Sequence, residues 1–388
     1  MKKIKALFGL MLLTQLAFTQ TTPDEAVRAT LQNHPLARAA ALDVQAKKYG
    51  EKASFNLPNP EINAESPTGE FYAVGIMQSF EFPTVYARQK QVARAETALA
   101  QAGQRLEEYD LQYAVRSLYL EAQVAEFQSR QWAERDSLYQ AIGIAAARQF
   151  AAGEIDFLQK TLAEIEAGKV QQERLVAAQN ELVLRQLLST YTGKSDLGTL
   201  LPLGADTVGL VAMSGISGNP SVFYQEQTAK LAEQQISLAK SRALPNFSLG
   251  YLNQGPRNTP IDYRFRATVG IPLWIGQYRA GTNAAKAESQ AAVARAEAQT
   301  QTVMMEAQRA KTEAATALLK LRYYERQALA QSRALIAAAN RLREAGQVDY
   351  VAFLRTLDGA YAVQREYAEQ VQALNLAQLR LRYLAGEL

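Results

Sequence analysis

Few side chains in this sequence could carry out chemistry. Its 388 residues include no cysteine and one histidine, His34. That excludes structural zinc sites, iron–sulfur clusters, haem attachment and cysteine nucleophiles. A metal site would have to be built from carboxylates alone, and no spacing of Asp and Glu suggests one. His34 stands directly before Pro35, the place of a turn residue at a helix break rather than of a metal ligand. Met304 and Met305 form a pair with no third methionine nearby, which reads as packing and not as a copper relay. Glu107, Glu108 and Asp110 lie among Arg105 and Arg116 and read as a solvated or pairing helix face. Lys and Arg number 42 against 38 Asp and Glu, a net charge of +4. No basic run concentrates that charge, so nucleic acid is not a partner. No cofactor, no resident metal and no enzymatic step are implied.

The remaining chemistry is electrostatic and sits at two turns. Gly153-Glu154-Ile155-Asp156-Phe157-Leu158 returns as Gly346-Gln347-Val348-Asp349-Tyr350-Val351. Glycine accepts the left-handed conformation that ends a helix. An acid three residues on suits the free N–H groups and dipole of the next helix.

The elements holding these turns are themselves duplicated. Asn33-His34-Pro35 is echoed by Gly218-Asn219-Pro220, Leu57-Pro58-Asn59 by Leu244-Pro245-Asn246, and Phe82-Pro83 by Ile271-Pro272. Four pairs in the same order, offset by about 190 residues, mark an internal repeat. The repeats are 21–191, with a β-hairpin at 57–82 and a long helical hairpin at 84–191, and 219–388, with a β-hairpin at 244–273 and a helical hairpin at 277–384. Residues 192–218 are a linker with little regular structure. Long helices are predicted over 84–149 and 277–344, each about 100 Å at 1.5 Å per residue. Val85, Val92, Leu99, Leu106, Tyr113, Leu120 and Phe127 mark the seam of the first. Ala307, Ala314, Leu321, Ala328, Leu335 and Leu342 mark that of the second. Strict seven-residue spacing demands a coiled-coil seam. The helices before the strands (24–54 and 220–242) and after the turns (156–191 and 350–383) are shorter and complete a tall wall. Residues 1–20 carry Lys2, Lys3 and Lys5 before an apolar stretch and read as a secretory signal peptide.

A coiled-coil rod has no use for the segments between these helices. Tyr263 to Ile271 alternates apolar odd positions with Arg264, Arg266, Thr268 and Gly270. Phe247, Leu249 and Tyr251, then Ile62 and Ala64, then Tyr72, Val74 and Ile76 alternate likewise. Such strands fit a transmembrane barrel with a wet lumen, in which Arg264 and Arg266 are lumen candidates. Four strands cannot close a barrel, and open edges cannot lie in lipid. The chain must supply one sector of an oligomeric barrel. The polar loops at 66–70 and 253–262 are short, so the outer mouth is expected to be open.

In this duplicated order, its Leu-Pro-Asn motifs and its glycine turns, the chain resembles the TolC-like outer-membrane factor family, the exit ducts of Gram-negative efflux and secretion systems. The resemblance implies a mainly α protein with a membrane β-barrel part. A homotrimer shares a twelve-stranded barrel set in outer-membrane lipid and continues it as an α-helical periplasmic tunnel. Its implied partners are a periplasmic adaptor and an inner-membrane pump of the RND type. The motif from Phe150 to Leu158 favours the metal-cation efflux branch, copper/silver or cobalt–zinc–cadmium. The turns at Gly153 and Gly346 then become the periplasmic tip and gate. Asp156 and Asp349 act there as N-caps, or as acids pairing with Arg148, Arg343 or Arg355 on neighbouring helices. The chain departs from the family where Arg343 stands in place of an aromatic before the second glycine, and where Arg355 replaces a position often acidic. A type I secretion duct and a non-channel periplasmic coiled-coil scaffold are the rival readings.

Overall fold

The computed structural model describes residues 20–65, 73–206, 218–253 and 264–388. The leader apart from Gln20, the loop 66–70 and all but the first residue of 253–262 lie outside them.

Three of the repeated X-Pro motifs, at Pro35, Pro83 and Pro220, prove to be helix starts. Helix α1 (Pro23–Asn33) opens with a capping box between Thr22 and Glu25. His34 then takes an extended backbone, φ −70° and ψ 132°, because a following proline disfavours the helical conformation. Its Nδ1 accepts from the Leu36 N–H at 3.3 Å and begins α2 (Pro35–Ala53). In the second repeat Asn219 does the same for α5 (Pro220–Ser241), accepting from Ser221 and Val222.

Helix α3 (Pro83–Ala151) runs for 69 residues, about 100 Å. It starts at a proline, which has no N–H to leave unpaired. The second long helix is divided into α6 (Ile275–Tyr323), a π-helical turn (Tyr324–Ala328) and α7 (Leu329–Glu344). The return helices α4 (Phe157–Thr192) and α8 (Tyr350–Ala385) have 36 residues each.

The π turn corrects one expectation. Seven-residue counting places Leu335 and Leu342 on the seam, yet in the chain they are 47% and 43% exposed. Ser332 and Ala339 are buried instead. A π turn absorbs a surplus residue into the ladder and rotates everything C-terminal to it. Ser332 tolerates its new place because its hydroxyl donates to the Ala360 carbonyl at 2.6 Å.

Near the strands the helices lie in the order α2, α3, α5, α6; near the turns α3 lies between α4 and α8, and α8 packs on α6 and α7. Three cores follow from this. One joins Val222, the alanine row of α6 and the end of α8. A second joins α1, α3 and α4 around Tyr119 and Leu188. The third, at the turns, draws on α3, α4, α7 and α8 together.

The strands β2 (Glu61–Glu65), β3 (Ala73–Phe80), β5 (Asn246–Asn253) and β6 (Phe265–Gly270) form one antiparallel sheet in that order. The two hairpins therefore join into a single sector. The described part of the linker, residues 192–206, contains regular structure that its composition does not suggest. Within it β4 (Thr199–Leu200) pairs in parallel with β1 (Gln20–Thr21). Tyr119 clips both to α3, donating to the Thr21 carbonyl at 2.6 Å and accepting from the Leu201 N–H at 2.8 Å. The tyrosine hydroxyl is buried, and removing it orphans a backbone donor and a backbone acceptor, each costing about 1–3 kcal/mol. Y119F is expected to lower the melting temperature in detergent. An unchanged melting temperature would show that the clip contributes nothing.

Candidate functional site

Two constructions carry the sequence-predicted residues: the sheet at one end and the pair of turns at the other. The sheet register sorts its residues cleanly. Ile62, Ile76, Tyr251 and Phe265 lie opposite one another across the four strands; Phe80, Phe247 and Val269 form a second such row. On the other face the rows are Glu61, Met77, Gly250 and Arg266, then Ser79, Ser248 and Thr268. Strands cross closely on this polar face. A Cβ on Gly250 would stand 2.6 Å from both the Ile76 carbonyl oxygen and Met77 Cγ. Arg266 thus belongs to the polar face. Arg264 precedes β6, and its guanidinium donates to the Tyr251 hydroxyl at 3.4 Å and to Asn253 Oδ1. It turns toward residues of the apolar rows rather than standing beside Arg266.

Both turns end their helices identically. Gly153 has φ +74° and Gly346 φ +68°. The N–H groups of Gly153 and Glu154 return to the carbonyls of Phe150 and Gln149, and those of Gly346 and Gln347 to Arg343 and Leu342, at 2.9–3.0 Å. This double bond pattern is the Schellman motif. Asp156 caps α4 with a capping box to Gln159, and Asp349 caps α8 by accepting from Val351 and Ala352. Ile155 and Val348, inside the turns, pack on the core the four helices share.

Among the described residues, neither capping acid is in an ion pair with Arg148, Arg343 or Arg355. Arg148 and Arg355 are exposed. Arg343 instead lies over the Phe353 ring, 5.3 Å from its centre. The turns are tied to each other by the Tyr350 hydroxyl, which donates to Gln149 Oε1 at 3.1 Å. His34 stacks on Tyr191. Met304 and Met305 are exposed.

The polar links joining the two repeats escape sequence reasoning. Arg135, on α3 with its side chain 9% exposed, donates to Asp358 Oδ1 on α8 at 3.1 Å. The Tyr139 hydroxyl donates to the same oxygen at 2.9 Å. The guanidinium lies 4.2 Å from the Trp132 ring centre and 4.6 Å from that of Tyr361. The spacing of Trp132, Arg135 and Tyr139 places them on one helix face, a signal available in the sequence; their partner, 223 residues away from Arg135, is not. Farther up the same pair of helices the Tyr383 hydroxyl donates to Asp110 Oδ1 at 2.6 Å. Tyr109 and Tyr113 lie against its ring. Burial first, then the Asp110 carboxylate, pushes the Tyr383 hydroxyl well above the usual tyrosine range. Burial raises Tyr109 to about 12.

The chain has a sheet with one polar face, capped turns and polar α3–α8 links. Among the described residues no His, Asp and Glu cluster could hold a metal ion, and no helix is long and apolar enough to cross a membrane. R135Q keeps a polar side chain but strips Asp358 of its cation. Because Asp358 is half exposed, the loss is expected at about 1–3 kcal/mol rather than the larger value of a fully buried pair. Limited proteolysis should then cut faster near the turns; an unchanged rate would remove the link from the tip's stability. For the tyrosines, the folded state holds the proton more tightly than the unfolded chain. Stability is therefore complete below pH 10 and falls as pH rises from 10 through 12. Y383F should flatten that fall in a melting series, and an equal fall in the variant would contradict the assignment.

Comparison with known proteins follows the same lines. Residues 215–387 match the model of the outer membrane efflux protein family. No curated protein matches the chain. Among solved structures, CusC is similar with a TM-score of 0.79 and 18% identity, covering 94% of this chain and 92% of that one. The CmeC outer membrane channel of Campylobacter jejuni aligns with a TM-score of 0.76 at 12% identity, over 94% and 85% of the two chains. The MtrE outer membrane channel of Neisseria gonorrhoeae gives 0.73 at 18% identity, over 94% and 89%. At these identities the likeness is one of fold.

Proposed function

We propose, from the premise that residues 215–387 belong to the outer membrane efflux protein family and that the whole chain carries the fold of outer-membrane channels, that this protein is the exit channel of a tripartite efflux system. Three copies join their four-stranded sectors into one twelve-stranded barrel in the outer membrane of a Gram-negative cell. The long helices continue the passage into the periplasm. A periplasmic adaptor and an inner-membrane pump of the RND type deliver the substrate and supply the energy. The chain itself provides a wet path and a gate, with no chemical step. The observation that carries this reading is the sheet: apolar on one face, polar on the other, with both edge strands lacking partners among the described residues.

The helix ends at Gly153 and Gly346 are the gate elements in this reading. The capping pattern supports it, since each turn is a separately closed unit whose glycine conformation a β-branched residue resists by roughly 1–2 kcal/mol. The motif from Phe150 to Leu158 supports metal cations, copper/silver or cobalt–zinc–cadmium, as the substrate class.

Purified in detergent, the protein should have the mass of three mature chains and give steady aqueous conductance in a planar bilayer. A detergent-independent monomer or dimer without conductance would return the chain to a periplasmic coiled-coil scaffold. G153V and G346V should assemble normally yet lose efflux. Full efflux in both would take the gate away from these turns. Cells lacking the protein should become several-fold more sensitive to one of the named metal groups. Unchanged metal tolerance with a lost secreted protein would favour a type I secretion duct.

A further inference from the structure

The two repeats differ at one place where the sheet meets the helices. In the first, two residues, Glu81 and Phe82, separate β3 from α3, and Pro83 begins the helix. In the second, Ile271, Pro272, Leu273 and Trp274 separate β6 from α6. The proline that starts α3 thus has its counterpart inside a connection. Two residues beyond the first proline, Val85 is 1% exposed; at the same distance beyond Pro272, Trp274 is 77% exposed. Ile271, Leu273 and Ile275 are exposed beside it at 68%, 75% and 59%.

Directly below this apolar connection lies a groove of about 370 Å³ between the end of α5 and the start of α6. Ile275, Tyr278 and Thr282 form part of its lining, and Lys240, Arg279 and Lys286 supply its charge. These three cations enter no ion pair among the described residues. In the first repeat Lys47 and Arg94 are neutralised, by Glu96 at 2.9 Å and Glu51 at 3.2 Å, whereas Lys52, Arg88 and Lys90 there have no apolar connection like that at 271–274 beside them. Ile275 belongs to both the connection and the groove, so apolar and cationic surfaces are continuous.

We propose that this junction is a lipid site in which Leu273, Trp274 and Ile275 enter the acyl boundary of the periplasm-facing leaflet and the groove takes the phosphate of an anionic phospholipid. The inference rests on the outer-membrane reading above, which sets the sheet in hydrocarbon and this junction at its edge. Tryptophan favours that edge because its ring is apolar and its N–H is polar. Unpaired Lys and Arg next to the bilayer attract anionic headgroups. The exposed apolar connection occurs in the second repeat alone, so a trimer carries three copies of the site. With no cysteine in the chain to take a lipid, it supplies an attachment through side chains alone.

The chain has two tryptophans, Trp132 and Trp274, so full-length W132F reports on Trp274 alone. It is reconstituted in vesicles of phosphatidylethanolamine containing phosphatidylcholine or phosphatidylglycerol brominated on the acyl chains. Trp274 emission should be blue-shifted and quenched by both, with brominated phosphatidylglycerol at least twofold more effective at equal mole fraction. K240Q/R279Q/K286Q should erase that preference while leaving quenching by phosphatidylcholine. If W132F does not assemble, the difference between the wild-type chain and W274F carries the same information. Quenching without a headgroup preference overturns the groove. Absence of quenching in vesicles that show conductance overturns the whole site, and acrylamide then separates a Trp274 open to water from one covered by a second copy of the chain. Protein that fails to float with the vesicles defeats the outer-membrane reading itself.

Discussion

β2 and β6 end the four-stranded sheet, each presenting a row of backbone N–H and C=O groups with no described strand beside it. In hydrocarbon every such group left unmatched costs several kcal/mol, so a sheet with open edges cannot rest there. On the proposed outer-membrane reading, the remaining architecture answers to that constraint. Two hairpins from distant parts of the chain are brought edge to edge, β3 against β5, over seven residue pairs. The helices that leave the sheet must then lie side by side in the same order as the strands, which is how α2, α3, α5 and α6 are found. In the proposed trimer the two edges meet those of neighbouring copies related by rotation, and closure would remove the unsatisfied groups altogether.

The helical part carries a different burden. Coiled-coil seams rich in alanine give close approach but little grip, and two 100 Å helices with such seams could slide. The structure fixes their register with a small number of directional polar contacts: Tyr119 at the equatorial strands, Tyr383 with Asp110, and Arg135 with Asp358. The last two join α3 to α8, hence one repeat to the other. Each places a charged group beside aromatic rings, where an apolar packing error would be costly and a shifted register would strand the charge.

Much of this was legible in the sequence, because the relevant signals are local or periodic. Seven-residue spacing placed the first long helix at 84–149 against the observed Pro83–Ala151. Alternation over 263–271 revealed a strand, and β6 occupies Phe265–Gly270. The helix break read at His34-Pro35 is where α1 gives way to α2, through the geometry that proline imposes on its neighbour. What remained hidden depends on three-dimensional proximity. Nothing in one dimension pairs Arg135 with Asp358, or turns the Arg264 guanidinium toward Tyr251 and Asn253. The pairing of Thr199 and Leu200 with the residues beside the leader was equally invisible, since a two-residue strand has no period to detect.

Helix α3 has 69 residues, whereas Ile275 to Glu344 has 70 even though it begins past the proline matched to Pro83. The π turn at Tyr324–Ala328 houses the difference. A rod of fixed height had taken in one residue more than its length allows, and it stored the excess as girth. Below that point the two halves of the duplication are out of phase. Beyond the turn Ser332 and Ala339 are buried where the seven-residue count places Leu335 and Leu342, a change of phase that the unbroken α3 does not undergo. The two long helices thus differ at the sheet, where they start differently, and again beyond the π turn, where the second changes phase. In the proposed trimer, a partner that grips the turns would therefore meet six helical hairpins of two distinct kinds rather than six alike.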